Sequence, residues 1–284
     1  MNSVGKFTGT SRKMCQPASL MPDPPPACTP AELAAIEELR AATTKALGGD
    51  EGFPELFTAE ALLRYSRARS STAASVKMLL ASHAWRREYG LERRLREWRE
   101  DTSPEAERLR AAWPCGVHGV DHRGCPVYYA RYGLIDLAAL VRDAGFDRVL
   151  ALALAEQEKI GDDLLAAAQA SGAHPVQVVC VADFDGMSWR RAMRSISPFL
   201  ALQRVLDDHY PERLHVGFVA RAPRLFSGVY KAAEPFLAKD TRAKVRICSA
   251  SDDHVTALSA LVPRESIPHF LGGGSECDIP GAAP

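Results

Sequence analysis

The sequence predicts an α/β protein in which a helical N-terminal lobe precedes a lobe built on a mostly parallel sheet. Three observations carry this. Apolar residues recur at helical spacing through most of the first hundred positions. From Trp113 the period shortens to that of strands. Beyond that point, runs rich in β-formers alternate with helical patterns, and such alternation is satisfied by parallel strands joined through crossover helices.

Each element can be placed in order. Residues 1–30 hold Pro17, Pro22, Pro24, Pro25, Pro26 and Pro30 among small and polar residues, a composition that reads as a tail. Thr29 before Pro30 and Glu32 has the pattern of a helix N-cap with Pro in the first turn, and Leu33, Ile36 and Leu39 carry the helix until Gly48-Gly49. A second helix starts near Thr58. A third runs from Ala73 to Tyr89, with Val76, Leu79, Leu80, His83 and Trp85 on one face and Gly90 as its stop. Strands are expected at Pro126–Tyr132, Val176–Phe184, Leu214–Ala220 and Lys244–Ser249. Helices are expected at Leu134–Arg142, Asp147–Ala170, Ser188–Asp208 and Leu225–Phe236. The resulting organisation is a tail over 1–30, a helical lobe over 31–105, a sheet lobe over 106–276 and a short tail over 277–284.

Composition narrows the function. The 284 residues contain 35 Lys+Arg and 35 Asp+Glu, so a strongly basic nucleic-acid binder is not expected. Hydrophobic residues at 46% and charged residues at 25% fit an ordinary globular chain, and no apolar run approaches the ~20 residues that span a bilayer. No apolar core of signal-peptide length follows Lys6 and Arg12. Seven scattered cysteines, an odd number without a C-x-x-C, suit a reducing compartment better than a disulfide framework, so a cytoplasmic protein is expected.

The motifs of nucleotide and hydrolase chemistry are missing: there is no G-x-G-x-x-G after a strand, no phosphate loop, no G-x-S-x-G and no H-E-x-x-H. A non-enzyme is expected, with no cofactor. The segment Cys115-x2-His118-x3-His122-x2-Cys125 collects four zinc-type ligands, but its spacing is unusual for zinc. Asp121-His-Arg-Gly124 reads as a hairpin turn that would set Cys115 and Cys125 facing each other on two strands without metal.

Seven strings then stand in register: LLRYSRARS (62–70), HAWRREYG (83–90), DHRGCPVYY (121–129), VADFDGMS (181–188), HYPERL (209–214), ARAPRLFSGVYKAAEPFL (220–237) and IPHFLGGGSE (267–276). Together they resemble the CRAL-TRIO lipid-binding family, in particular its phosphatidylinositol and phosphatidylcholine transfer branch. The resemblance implies a sheet that floors an apolar lipid pocket closed by a movable helix. Phe226, Val229, Tyr230 and Phe236 would belong to that gate, with Gly273 beside its machinery. Their i, i+4 and i+7 recurrence, with Arg224, Lys231 and Glu234 on other faces, is independently amphipathic.

The same resemblance places an inositol phosphate headgroup on Arg69, Glu212, Thr241 and Lys244, a set that combines phosphate-binding cations with a carboxylate able to accept ring hydroxyls. Ser70 and Ala238 stand where the family usually has a basic and an acidic residue. At the choline end Tyr128 is kept, whereas Val117, Val178, Cys180 and Leu206 replace Tyr, Ser or Thr. A buried choline phosphate would lose partners there, so a more apolar second ligand is implied. The expected partners are phosphatidylinositol, a second lipid and, transiently, a membrane surface, met by a monomeric carrier. The rival expectation is a carrier of a sterol, tocopherol-like or retinoid-like molecule, with a hydrolase-like enzyme behind it.

Overall fold

The computed structural model describes residues 28–49, 52–171, 177–223, 226–236, 239–276 and Ile279. The expected strand start at Val176, and the gate-flanking Arg224, Leu225, Leu237 and Ala238, lie outside these residues. Helix α1 (Pro30–Ala46) begins where its local chemistry requires: the Thr29 side chain accepts from the Glu32 amide while Glu32 reaches back to the Thr29 amide. At α2 (Ala59–Arg67) the Thr58 hydroxyl accepts from the Ala61 amide with no return bond, and at α3 (Thr72–Tyr89) Ser71 accepts from Ala74. Gly90 ends α3 at φ 67°, a conformation glycine adopts without steric cost. Ile36, Leu39, Leu62, Leu63, Met78 and Leu79 bury the facing stripes of these three helices together.

Two helices absent from the sequence reading follow, α4 (Leu91–Glu100) and α5 (Pro104–Ala111). They bury Leu91, Leu95, Trp98 and Leu109 in the core of the sheet lobe. The sheet comprises β1 (Cys115–Val120), β2 (Pro126–Ala130), β3 (Val178–Asp183), β4 (Leu214–Ala222) and β5 (Val245–Ser249), in spatial order β1-β2-β3-β4-β5. The β1-β2 hairpin is antiparallel and the other pairs are parallel. Because the parallel strands add consecutively, right-handed crossovers put every connecting helix on one face. These are α6 (Leu137–Ala144), α7 (Phe146–Ser171), α8 (Trp189–His209), α9 (Phe226–Ala233) and α10 (Lys239–Lys244).

The strand period of two then divides the side chains. Val127, Tyr129, Val179, Val181, Val216 and Phe218 point to the opposite face, under α11 (His254–Ser259) and the segment that carries Ile267, Leu271 and Ile279. Tyr128, Ala130 and Val178 belong to the core on the helical face.

Three expectations are corrected. Lys244 does not start a strand; it is the last residue of α10, and β5 begins at Val245. Cys115 and Cys125 do not face each other, since Cys115 pairs with Ala130 while the Cys125 carbonyl accepts from the Asp121 amide at the turn end of the hairpin. The two histidines between them are engaged elsewhere, His118 with Ser275 (2.8 Å) and His122 with the Ser259 carbonyl (2.9 Å). Finally, Cys28, Cys115, Cys125 and Cys180 are free, but Cys248 is disulfide-bonded. An odd, dispersed set of cysteines does not prevent two of them from meeting in the fold.

Candidate functional site

Between the sheet and the crossover helices lies a cavity of about 300 Å³. Its floor is Tyr128, Cys180, Ala182, Gly217, Val219 and Val245, contributed by four adjacent strands. One wall is the α8 stripe Ala192, Ser195, Ile196, Phe199, Leu202, Gln203 and Leu206, spaced so that a single helical face meets the void. Phe226 and Tyr230, four residues apart on α9, close another side. Phe226 also packs against Phe184, with ring centroids 4.5 Å apart and the planes tilted by 60°. Among the described residues no charged one occurs in these walls, so the cavity suits an uncharged apolar body.

The polar atoms in the walls are few and mostly withheld. Burial drives the Tyr128 phenol well above its ordinary pKa and the Cys180 thiol up to about 12, so both stay neutral. The neighbouring Cys115 thiol pushes the Tyr128 phenol the same way. Gln203 donates to Asp207 (2.8 Å). The Trp113 indole N–H is buried without a partner among the described residues, which makes it a donor in the wall that the sequence reading missed.

Of the pocket residues expected from sequence, Tyr128, Cys180 and Leu206 line the cavity. Val178 and Val117 pack in the hydrophobic cluster around it and are not wall residues. Among the expected gate residues, Phe226 and Tyr230 face the cavity, while only the backbone of Val229 and Phe236 is described, in α9 and the following 3-10 turn.

Two of the polar candidates meet directly. Lys244 Nζ donates to Glu212 Oε2 at 2.9 Å, with both side chains about three quarters buried. Lys244 comes three residues after Thr241 and directly before Val245, both cavity-wall residues, while Lys244 and Glu212 are not themselves among the wall residues. Glu212 holds φ at 53°, in the left-handed region that side chains rarely adopt, and its carbonyl accepts from Gln177 (2.9 Å). Arg69 is the outlier: it is exposed, two residues past the end of α2, and its guanidinium donates to the Ala68 carbonyl.

A second polar cluster joins the helices of the first lobe to the sheet lobe. Buried Arg86 bridges Glu55 (2.8 Å) and Glu158 (2.9 Å), and the Tyr210 hydroxyl donates to the same Glu158 oxygen (2.6 Å). Arg213 lies over the Tyr210 ring and donates to the Gln157 carbonyl. Tyr65 donates to the His209 carbonyl (3.0 Å). The His209 ring stacks on Trp85 with centroids 4.0 Å apart, and its Nδ1 faces the Ser82 hydroxyl.

This junction has a pH signature. Burial lowers the His209 pKa from 6.5 to about 4, so the folded protein holds it neutral. The unfolded chain binds a proton below its ordinary pKa while the native state resists, so the stabilisation is complete above that value and is lost as pH falls toward the native one. Urea titrations of wild type and His209→Gln between about pH 7 and about pH 5 are expected to show a loss smaller by about 1 kcal/mol in the variant, after allowance for partial exposure. Parallel losses would mean that His209 titrates normally.

The comparisons with known proteins agree with this geometry. The chain is 28% identical over 280 residues to the SEC14 cytosolic factor of Candida glabrata, covering 98% of this chain and 89% of that protein. It is 31% identical over 232 residues to the CRAL-TRIO domain-containing protein T23G5.2 of Caenorhabditis elegans, covering 78% of this chain but 31% of the worm protein. It is 28% identical over 247 residues to the phosphatidylinositol/phosphatidylcholine transfer protein SFH12 of Arabidopsis thaliana, covering 85% and 45%. The crystal structure of Sfh5 superposes with a TM-score of 0.60 at 17% identity, over 77% of this chain and 80% of that one. Since the CRAL/TRIO domain profile matches residues 110–273, which hold the whole sheet and every wall of the cavity, the chain belongs to the CRAL/TRIO domain family.

Proposed function

We propose that the protein is a lipid carrier that takes phosphatidylinositol from one membrane and delivers it to another, with the acyl chains in the apolar cavity and the headgroup at Glu212, Thr241, Lys244 and Arg69. The single observation that carries this reading is an apolar cavity with no charged wall residue among the described residues, with the Lys244–Glu212 pair next in the chain to its wall residue Val245. An apolar interior with a cation nearby in the chain matches a molecule with two greasy chains and one phosphate. The relatives named for phosphatidylinositol and phosphatidylcholine transfer support the same substrate class. The carrier acts as a cytoplasmic monomer that visits membrane surfaces; no helix among the described residues is long and apolar enough to cross a bilayer.

The second ligand is a more apolar lipid than phosphatidylcholine. Cys180 and Leu206 offer no hydroxyl to a buried choline phosphate, and an unsatisfied buried polar group costs roughly 1 to 3 kcal/mol. Lipid extraction and mass spectrometry of the purified protein are expected to find phosphatidylinositol in near-molar proportion, with phosphatidylcholine transfer between vesicles slower than phosphatidylinositol transfer. Recovery of sterols or other neutral lipids alone would favour the non-phospholipid carrier instead.

A further inference from the structure

We propose that the first turns of α8, together with Leu134, form a docking surface for a membrane that contains anionic lipid; this names the contact face of the carrier proposed above and rests on that reading for its purpose. Large apolar side chains are seldom exposed in a cluster without a partner. Here Trp189 (45% exposed) and Met193 (40%) stand on the first turns of α8, and Leu134 (48%) is exposed beside the segment that leads into that helix. Trp189 and Met193 are four residues apart and share one helical face. Leu134 lies over Gly186, just before the helix, and its carbonyl accepts from Arg191 (3.5 Å).

The charges around this patch select the partner. Arg190 is exposed, and neither it nor Arg191 forms an ion pair among the described residues; Arg191 donates to the carbonyls of Leu134 and Gly186. The neighbouring carboxylates are already matched, Asp136 by Arg194 and Asp185 by Arg221. An indole, a thioether and a leucine beside unmatched guanidinium groups fit the boundary between acyl chains and anionic headgroups. The patch also continues into the cavity, since Met187, Ala192, Ser195 and Ile196 of the same segment line it. The Trp189 ring lies where a side chain on Gly228 of α9 would touch it at 3.5 Å. A bilayer docked here would meet the cavity wall and the helix over it at once.

The full chain is tested with vesicles of four parts phosphatidylcholine to one part phosphatidylserine, carrying brominated acyl chains that quench indole fluorescence on contact. Trp98 is buried and Trp85 is stacked between Tyr89 and His209; Trp113 lines the cavity and would meet a brominated chain taken up as cargo, so the experiment is run in a Trp113→Phe background, where contact quenching reports Trp189. Quenching is expected in that background and is expected to disappear when Trp189→Phe is added. Trp189→Ala is expected to weaken vesicle binding by about tenfold, and Arg190→Gln by about fivefold on the anionic vesicles and little on pure phosphatidylcholine. Binding without quenching, binding undiminished in these variants, or no vesicle binding would each overturn the docking surface. Phosphatidylinositol transfer, measured alongside, separates the two ideas. Quenched Trp189 without transfer would keep the surface and reject the carrier; transfer with unquenched Trp189 would do the reverse.

Discussion

Replacing Lys244 with alanine is expected to lower phosphatidylinositol transfer between vesicles by tenfold or more, because a charge-assisted hydrogen bond to a phosphate contributes about 1.5 to 3 kcal/mol. The loss has two parts. The cation that would meet the phosphate is removed, and Glu212, now without its partner at 2.9 Å, is left as a carboxylate facing the incoming phosphate. Folding is expected to change little, since a partly exposed ion pair contributes at most about 1 kcal/mol. Loading with an uncharged lipid is expected to persist, because the cavity walls are unaltered. The decisive measurement is the ratio of phosphatidylinositol transfer to uptake of a neutral fluorescent lipid. An unchanged ratio, whether both fall or neither does, would show that Lys244 is a structural or idle charge.

Gly273→Ala is expected to destabilise the fold by about 3 kcal/mol, the upper part of the range for forcing extra volume into a packed site. Gly273→Asp is expected to cost more, because it also buries a charge. The reason is close approach, not backbone freedom. Gly273 is outside the left-handed region, which is occupied by its neighbour Gly272 at φ 81°. A Cβ on Gly273 would collide with the carbonyl group of Ile267. That carbonyl cannot swing away freely, since it accepts from the Ser275 amide (3.1 Å) in the turn that returns the chain under the sheet. Ile267 itself is fully buried among the residues that cover the sheet opposite the cavity. Gly274→Ala serves as the control, because a Cβ there meets nothing nearer than 3.5 Å. In thermal unfolding the Gly273→Ala midpoint is expected to fall by on the order of 10 °C with Gly274→Ala nearly unchanged. Equal small shifts would remove the steric account.

The N-caps at Thr29 and Thr58 and the stop at Gly90 were readable from sequence because each is decided within about four residues by hydrogen bonds or by φ. The mostly parallel sheet was readable because its strands are near-continuous apolar runs separated by helical periods. The amphipathic pattern around Phe226 and Tyr230 likewise announced a helix with one apolar face. The strand reading of Lys244 failed because the six residues of α10 carry no apolar period, and contact with β4 holds the helix in place.

What only the tertiary structure decided depends on residues far apart in the chain. Arg86, Glu158, Tyr210 and Arg213 carry no pattern in sequence, yet they meet at the lobe junction because α3, α7 and the end of α8 converge there. Whether a residue with the right chemistry faces the void was also settled by packing: Cys180 lines the cavity, whereas Val178, two residues before it on β3, is packed into the hydrophobic core. Local sequence determined which segments are helix, strand and turn, since those choices are made by propensity and near-neighbour bonds. The cavity, the Lys244–Glu212 ion pair and the exposed Trp189 patch were decided by how the crossover helices stack on one face of the sheet, since a void or a surface is a property of several segments at once.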